Sequence, residues 1–105
     1  MPQTQRWTKW LTSRDWVEVR LVTDGHSVLD FSAQYVAEFD QAPHNGVRFD
    51  SAHDEPHMDI LKPGGEKEVR PLAGMDKRTA LTYALDEIDR RWEFYRQRYE
   101  GWLRE

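Results

Sequence analysis

The chain has 105 residues, no cysteine and a formal net charge of -4. That length suits one domain spanning 1–105, the lack of cysteine excludes disulfides and thiolate metal sites, and the mild acidity gives no electrostatic reason to expect nucleic acid. Aromatic residues make up 12% and charged residues 32%, which describes a thin aromatic core under a charged surface rather than a disordered chain. No apolar run approaches the roughly 18–20 residues of a transmembrane helix. The opening Met1-Pro2-Gln3-Thr4-Gln5-Arg6 lacks the apolar stretch of a signal peptide. No membrane association and a cytoplasmic location are therefore expected.

In chain order, Trp7, Trp10 and Leu11 fall at i, i+3, i+4, a spacing that predicts a short N-terminal helical segment. From Trp16 the period changes to two. Val17, Val19 and Leu21 share one face while Glu18 and Arg20 take the other, as in a half-exposed strand. Asp24-Gly25 is a hairpin signal. Phe31, Ala33, Tyr35, Ala37 and Phe39 then alternate with Ser32, Gln34, Val36 and Glu38, the clearest strand in the chain. Asp40 to Gly46 is a turn cluster ending in Asn45-Gly46. Val47 to Asp50 resumes the alternation, and Ser51 to Pro56 is a second turn. His57-Met58-Asp59-Ile60-Leu61 is a short strand. Pro63-Gly64-Gly65 makes the next hairpin, from which Lys67 to Arg70 pairs back.

The last segment has a different period. Leu81, Leu85, Ile88, Trp92, Tyr95, Tyr99 and Trp102 recur at alternating spacings of four and three, one face of a helix from Lys77 to about Leu103 with Asp76 as its N-cap. At about 1.5 Å per residue that helix is about 40 Å long, while a typical strand covers only about 17–20 Å. Its aromatic half should overshoot the sheet and seek Trp7 and Trp10, or a second copy of the chain. The fold expected is α+β: an antiparallel meander of four to five strands packed by one long C-terminal helix.

One constellation carries chemistry. Arg48, Asp50, His53, His57 and Asp59 crowd the middle of the chain. His57 and Asp59 point the same way from their strand, and Asp50 faces them across the hairpin. Two histidines with carboxylates beside them suit general acid/base work, with Arg48 stabilising an anion, and would suffice for metal-free phosphodiester cleavage. Two histidines and a carboxylate also suit a divalent metal such as zinc, manganese or iron. A third alternative is structural: His57 bonds Asp50 and locks the hairpin. His26 and His44 read as exposed turn residues. The glycines at Lys62–Lys67 form a hairpin tip rather than a phosphate loop, because no Lys-Ser/Thr and helix follow them. The arginines of the last helix read as a solvated face.

Arg48-Phe49-Asp50-Ser51-Ala52-His53 followed by Pro56-His57-Met58-Asp59 resembles a pattern in small, mostly uncharacterised bacterial proteins. In these an Arg-aromatic-Asp strand end leads to Ala-His, a short turn and a second His. It is also distantly similar to the TumE-like toxins of toxin–antitoxin systems. Such proteins often carry Gly after Ala-His, where this chain has Asp54. The resemblance implies an acid/base role for His53 and His57 and a protein antitoxin as partner. The leading expectation is thus a toxin-like protein that cleaves RNA with Arg48, Asp50, His53, His57 and Asp59, without a cofactor or with a divalent metal. The alternative is a non-enzymatic interaction module that homodimerises through the aromatic stripe of the helix.

Overall fold

The computed structural model describes residues 1–105. Six strands run in sequence order: β1 (Gln3–Thr12), β2 (Asp15–Asp24), β3 (Ser27–Phe39), β4 (Ala42–Asp50), β5 (His57–Leu61) and β6 (Lys67–Pro71). Each pairs antiparallel with the next, so the sheet is a meander with β1 and β6 at its edges. The helix α1 (Lys77–Leu103) lies across one face. It starts at Asp76, whose carboxylate accepts a hydrogen bond from the Thr79 amide at 2.8 Å. No helix is long and apolar enough to cross a membrane. The α+β class, the meander and the terminal helix agree with the sequence reading, with two corrections.

The first is the N-terminal segment, which is strand and not helix. Trp7 and Leu11 are four apart, an even spacing that a period of two satisfies as well as a helix does. Both therefore turn to the helix side, where Lys9 between them reaches Asp89 of α1 at 3.0 Å. Trp10 goes to the opposite face and packs on Trp16, ring centroids 5.0 Å apart. With a long neighbour, β2, to pair with, the Thr- and Trp-rich segment takes the extended form that its side chains prefer. The sheet consequently has six strands rather than four or five.

The second is the length of the sheet. β3 has 13 residues, about 43 Å at about 3.3 Å per residue, which matches the helix. The aromatic half of α1 is therefore covered within the chain. Tyr95 and Tyr99 are buried. Tyr99 stacks on Phe39 with centroids 5.9 Å apart, and Trp92 lies 6.5 Å from Tyr35. Trp7 sits near Leu85 in the first half of the helix, not the second.

The core follows the alternation read from β2 and β3. Val17, Val19, Phe31, Ala33, Tyr35, Ala37, Phe39, Val47 and Phe49 meet Ala80, Leu81, Ala84, Ile88, Tyr95 and Tyr99 from the helix. The β3–β4 connection is tighter than the cluster Asp40–Gly46 implied. It is a two-residue turn with Asp40 at φ 53° and Gln41 at φ 67°, the mirror-image turn whose twist matches a hairpin. Gly46 lies inside β4, beside a bulge. A Cβ there would stand 3.1 Å from Cδ2 of Tyr35, so glycine lets the ring lie on the backbone. His44 is accordingly a half-buried strand residue, not an exposed turn residue. Its Nδ1 lies 3.1 Å from the Tyr99 hydroxyl. His26 is exposed at the β2–β3 turn, as expected.

Candidate functional site

The register of β4 and β5 builds the site. Arg48 lies opposite Asp59, and Asp50 lies opposite His57. Phe49 and Val47 turn to the helix side, so these four residues share the other face of the sheet. The turn that joins the strands is fixed at several points. The Phe31 amide donates to Ser51 Oγ at 3.0 Å, and Ser51 Oγ donates to Asp30 at 2.6 Å. Arg20 holds the other oxygen of Asp30 at 2.5 Å. Burial alone would raise the Asp30 carboxyl, but the hydrogen bond from Ser51 and the charge of Arg20 outweigh it and hold it below the ordinary range. Lys77 at the start of α1 reaches Asp54 at 2.8 Å and the Leu29 carbonyl at 2.7 Å. His53 and Asp54 both take left-handed backbone, φ 60° and 64°. Asp54 thus adopts the conformation that Gly would favour after Ala-His.

Within the site Asp59 is fully buried. Its Oδ2 accepts from Arg48 Nη2 at 2.6 Å and Nε at 3.2 Å. Arg48 Nε also lies 3.2 Å from Asp50 Oδ2. His57 Nε2 stands 3.0 Å from Asp50 Oδ1 and 3.5 Å from Asp59 Oδ1. Its Nδ1 donates to the Glu55 carbonyl at 3.0 Å. Asp50 Oδ1 accepts from the Ala52 amide at 3.0 Å. The exposed edge consists of His57 and Asp50, whose side chains are 18% and 15% accessible. Arg48 and Lys67 are more open still.

Of the five residues singled out in the sequence, the fold brings together Arg48, Asp50, His57 and Asp59. His53 is not among them. It is exposed in the turn and makes no hydrogen bond or ion pair with the other four. A working pair of His53 and His57 is therefore absent from this arrangement: His53 lies in the left-handed turn, exposed and without a polar contact to the site. Sequence reading missed Lys67. It sits at the start of β6 with its Nζ 3.9 Å from Asp59 Oδ2. The register of β6 on β5, Lys67 against Leu61 and Val69 against Asp59, places every second residue of β6 on the face of the site, and that register comes from pairing rather than from the local sequence.

A second charged network lies at the far end of the sheet. Asp15 is buried and takes hydrogen bonds from the Tyr35 hydroxyl at 2.5 Å, Thr12 at 2.5 Å and Arg96 at 2.8 Å. Burial opposes its ionisation, yet these donors prevail and keep its carboxyl below the ordinary range. Burial, then Asp15, pushes the Tyr35 phenol far above its usual range. Arg96 also donates to the Glu38 carbonyl at 3.0 Å. The polar atoms of this network are partnered within the chain, so it ties the helix to the β1–β2 turn and β3 rather than presenting open chemistry.

No curated protein and no solved structure matches the chain. A family model, described as Domain of unknown function (DUF7718), matches residues 1–105. With its whole length covered, the chain belongs to the DUF7718 family.

Proposed function

We propose that Arg48, Asp50, His57 and Asp59 form a hydrolytic centre that cleaves phosphodiester bonds, with RNA as substrate. The observation that supports it best is the convergence of one imidazole nitrogen and two carboxylate oxygens on a single spot at the partly open sheet face. A water at the exposed edge of that spot gives one proton to His57 Nε2 or Asp50 Oδ1, the two acceptors on the open side, as its oxygen adds to phosphorus. The bond from phosphorus to the leaving oxygen breaks, and that oxygen takes up a proton from solvent. Arg48 and Lys67 supply positive charge for the phosphate oxygens, and Lys67 is free enough to reach them. The resemblance to TumE-like toxins agrees with this reading in the role of His57 but not of His53, and it implies a protein antitoxin as partner. No observation favours a homodimer through the aromatic stripe, since Tyr95 and Tyr99 are buried against the sheet.

The test is cleavage of a labelled single-stranded RNA by the purified chain, beside His57→Ala and His53→Ala. Cleavage should vanish with His57→Ala and persist with His53→Ala. Cleavage no greater than the His57→Ala background, with or without added divalent ion, would overturn the reading.

A further inference from the structure

Both ring nitrogens of His57 face acceptors. Nδ1 lies 3.0 Å from the Glu55 carbonyl oxygen, which can only accept, so Nδ1 carries a proton. Nε2 then faces Asp50 Oδ1 at 3.0 Å and Asp59 Oδ1 at 3.5 Å. A single proton on Nε2 serves one oxygen, and Asp50 is the nearer. Asp59 Oδ1 is left without a hydrogen-bond partner, one of two such buried side-chain atoms in the chain. It belongs to a side chain with no solvent exposure. Leaving an anionic oxygen unpartnered and away from water is costly, and a cation at the point of convergence would remove that cost.

We propose that Asp50 Oδ1, His57 Nε2 and Asp59 Oδ1 bind a divalent first-row transition ion, with zinc and manganese the best-fitting ions. Donor atoms about 2.1 Å from such an ion stand about 3.0–3.4 Å from one another in octahedral or tetrahedral arrangements. Of the two separations at Nε2, 3.0 Å lies at the lower end of that range and 3.5 Å just beyond its upper end. One donor atom from each of the three residues lies within 4.8 Å of the others, so the third pair needs only a short closure.

The surrounding contacts are those that a metal ligand requires. The Glu55 carbonyl accepts the Nδ1–H hydrogen bond, which keeps the proton on Nδ1 and so leaves the Nε2 lone pair for the ion. Arg48 holds Oδ2 of both carboxylates, which directs their Oδ1 atoms to the convergence. An imidazole among the donors selects a transition ion over calcium or magnesium, which take oxygen donors. Arg48 offsets one carboxylate charge, so the affinity is expected to be micromolar rather than nanomolar. Three protein ligands leave coordination positions for water on the exposed side of His57 and Asp50. The inference deepens the hydrolytic reading and rests on it for the use of the ion, while binding itself is measured without substrate.

The experiment is isothermal titration of the untagged, chelator-treated chain with zinc and with manganese, paired with thermal unfolding. The chain should bind one equivalent of at least one of these ions. Its Tm should rise by about 5 °C or more at about a hundredfold excess over Kd. Asp59→Asn and His57→Gln should each weaken binding by more than about tenfold, while His53→Ala should bind as the parent does. Circular dichroism of each variant checks the fold, and if Asp59→Asn fails to fold, His57→Gln decides. No binding of either ion, binding retained in His57→Gln, or binding lost in His53→Ala would overturn the proposal. A chain that binds the ion but leaves RNA intact refutes the RNA reading and keeps the cation site. Full RNA cleavage in excess chelator keeps the RNA reading and refutes a role for the ion in cleavage, while the titration alone decides the cation site.

Discussion

Asp15 carries the sharpest residue-level consequence for stability. A buried carboxylate that loses its partners, or a buried partner that loses its carboxylate, leaves a polar group unpaired away from water. Asp15→Ala would strand the Tyr35 hydroxyl and Arg96 and should cost about 3 kcal/mol in urea unfolding. The same geometry sets an acid limit. Asp15 and Asp30 both ionise below their ordinary value of 3.8 in the folded chain. A depressed folded pKa means that the unfolded chain binds protons first, so the contribution is complete above that value. It is lost as pH falls through the lower folded value. Stability measured between about pH 4 and pH 2 should therefore drop steeply in the parent and less steeply in Asp15→Asn. Gly46 supplies a packing test of a different kind. Its backbone is not left-handed, so any cost of Gly46→Ala comes from the methyl group meeting the Tyr35 ring at 3.1 Å. A loss of about 1–2 kcal/mol is expected in the same assay.

At the scale of elements, the turns and the helix start are the points where a few atoms decide the geometry. The β3–β4 turn holds two residues that are not glycine at positive φ, Asp40 and Gln41. Relieving one of them should help, and Gln41→Gly is expected to raise stability by about 0.5 kcal/mol, read as a higher urea midpoint with an unchanged slope. Asp76→Ala should cost about 1 kcal/mol, since it removes the side chain that caps the Thr79 amide. The elements were unevenly legible. β3 and α1 announce themselves because one period dominates each over many residues, and the helix runs from Lys77 to Leu103 as its stripe implied. β1 was obscured because Trp7 and Leu11 stand at a spacing that helix and strand share. The Asn45-Gly46 pair drew attention from the true turn because a bulge glycine and a turn glycine look the same in a linear reading.

For the whole molecule, the match between a 27-residue helix and a 13-residue strand governs behaviour. The core cluster draws on β2, β3, β4 and α1 together, so sheet and helix should unfold in one transition. Far-ultraviolet and near-ultraviolet circular dichroism should then give coincident melting curves. Removal of residues 77–105 would uncover Phe31, Tyr35 and Phe49 at once, and that fragment is expected to aggregate rather than fold.

The sequence by itself determined the class of the fold, the order of most of its strands, the capped terminal helix and four of the residues that gather at the candidate site. Each of these rests on local periodicity or on neighbours along the chain, and side-chain spacing records both. Only the tertiary structure decided the strand identity of β1, the cover over Tyr95 and Tyr99, the exclusion of His53 and the approach of Lys67. It alone exposed the unpartnered oxygen of Asp59. Those facts depend on how long β3 continues, on the handedness of the turn at His53 and Asp54, and on the register between strands. Such quantities arise from pairing and packing across the fold, which no single stretch of residues encodes.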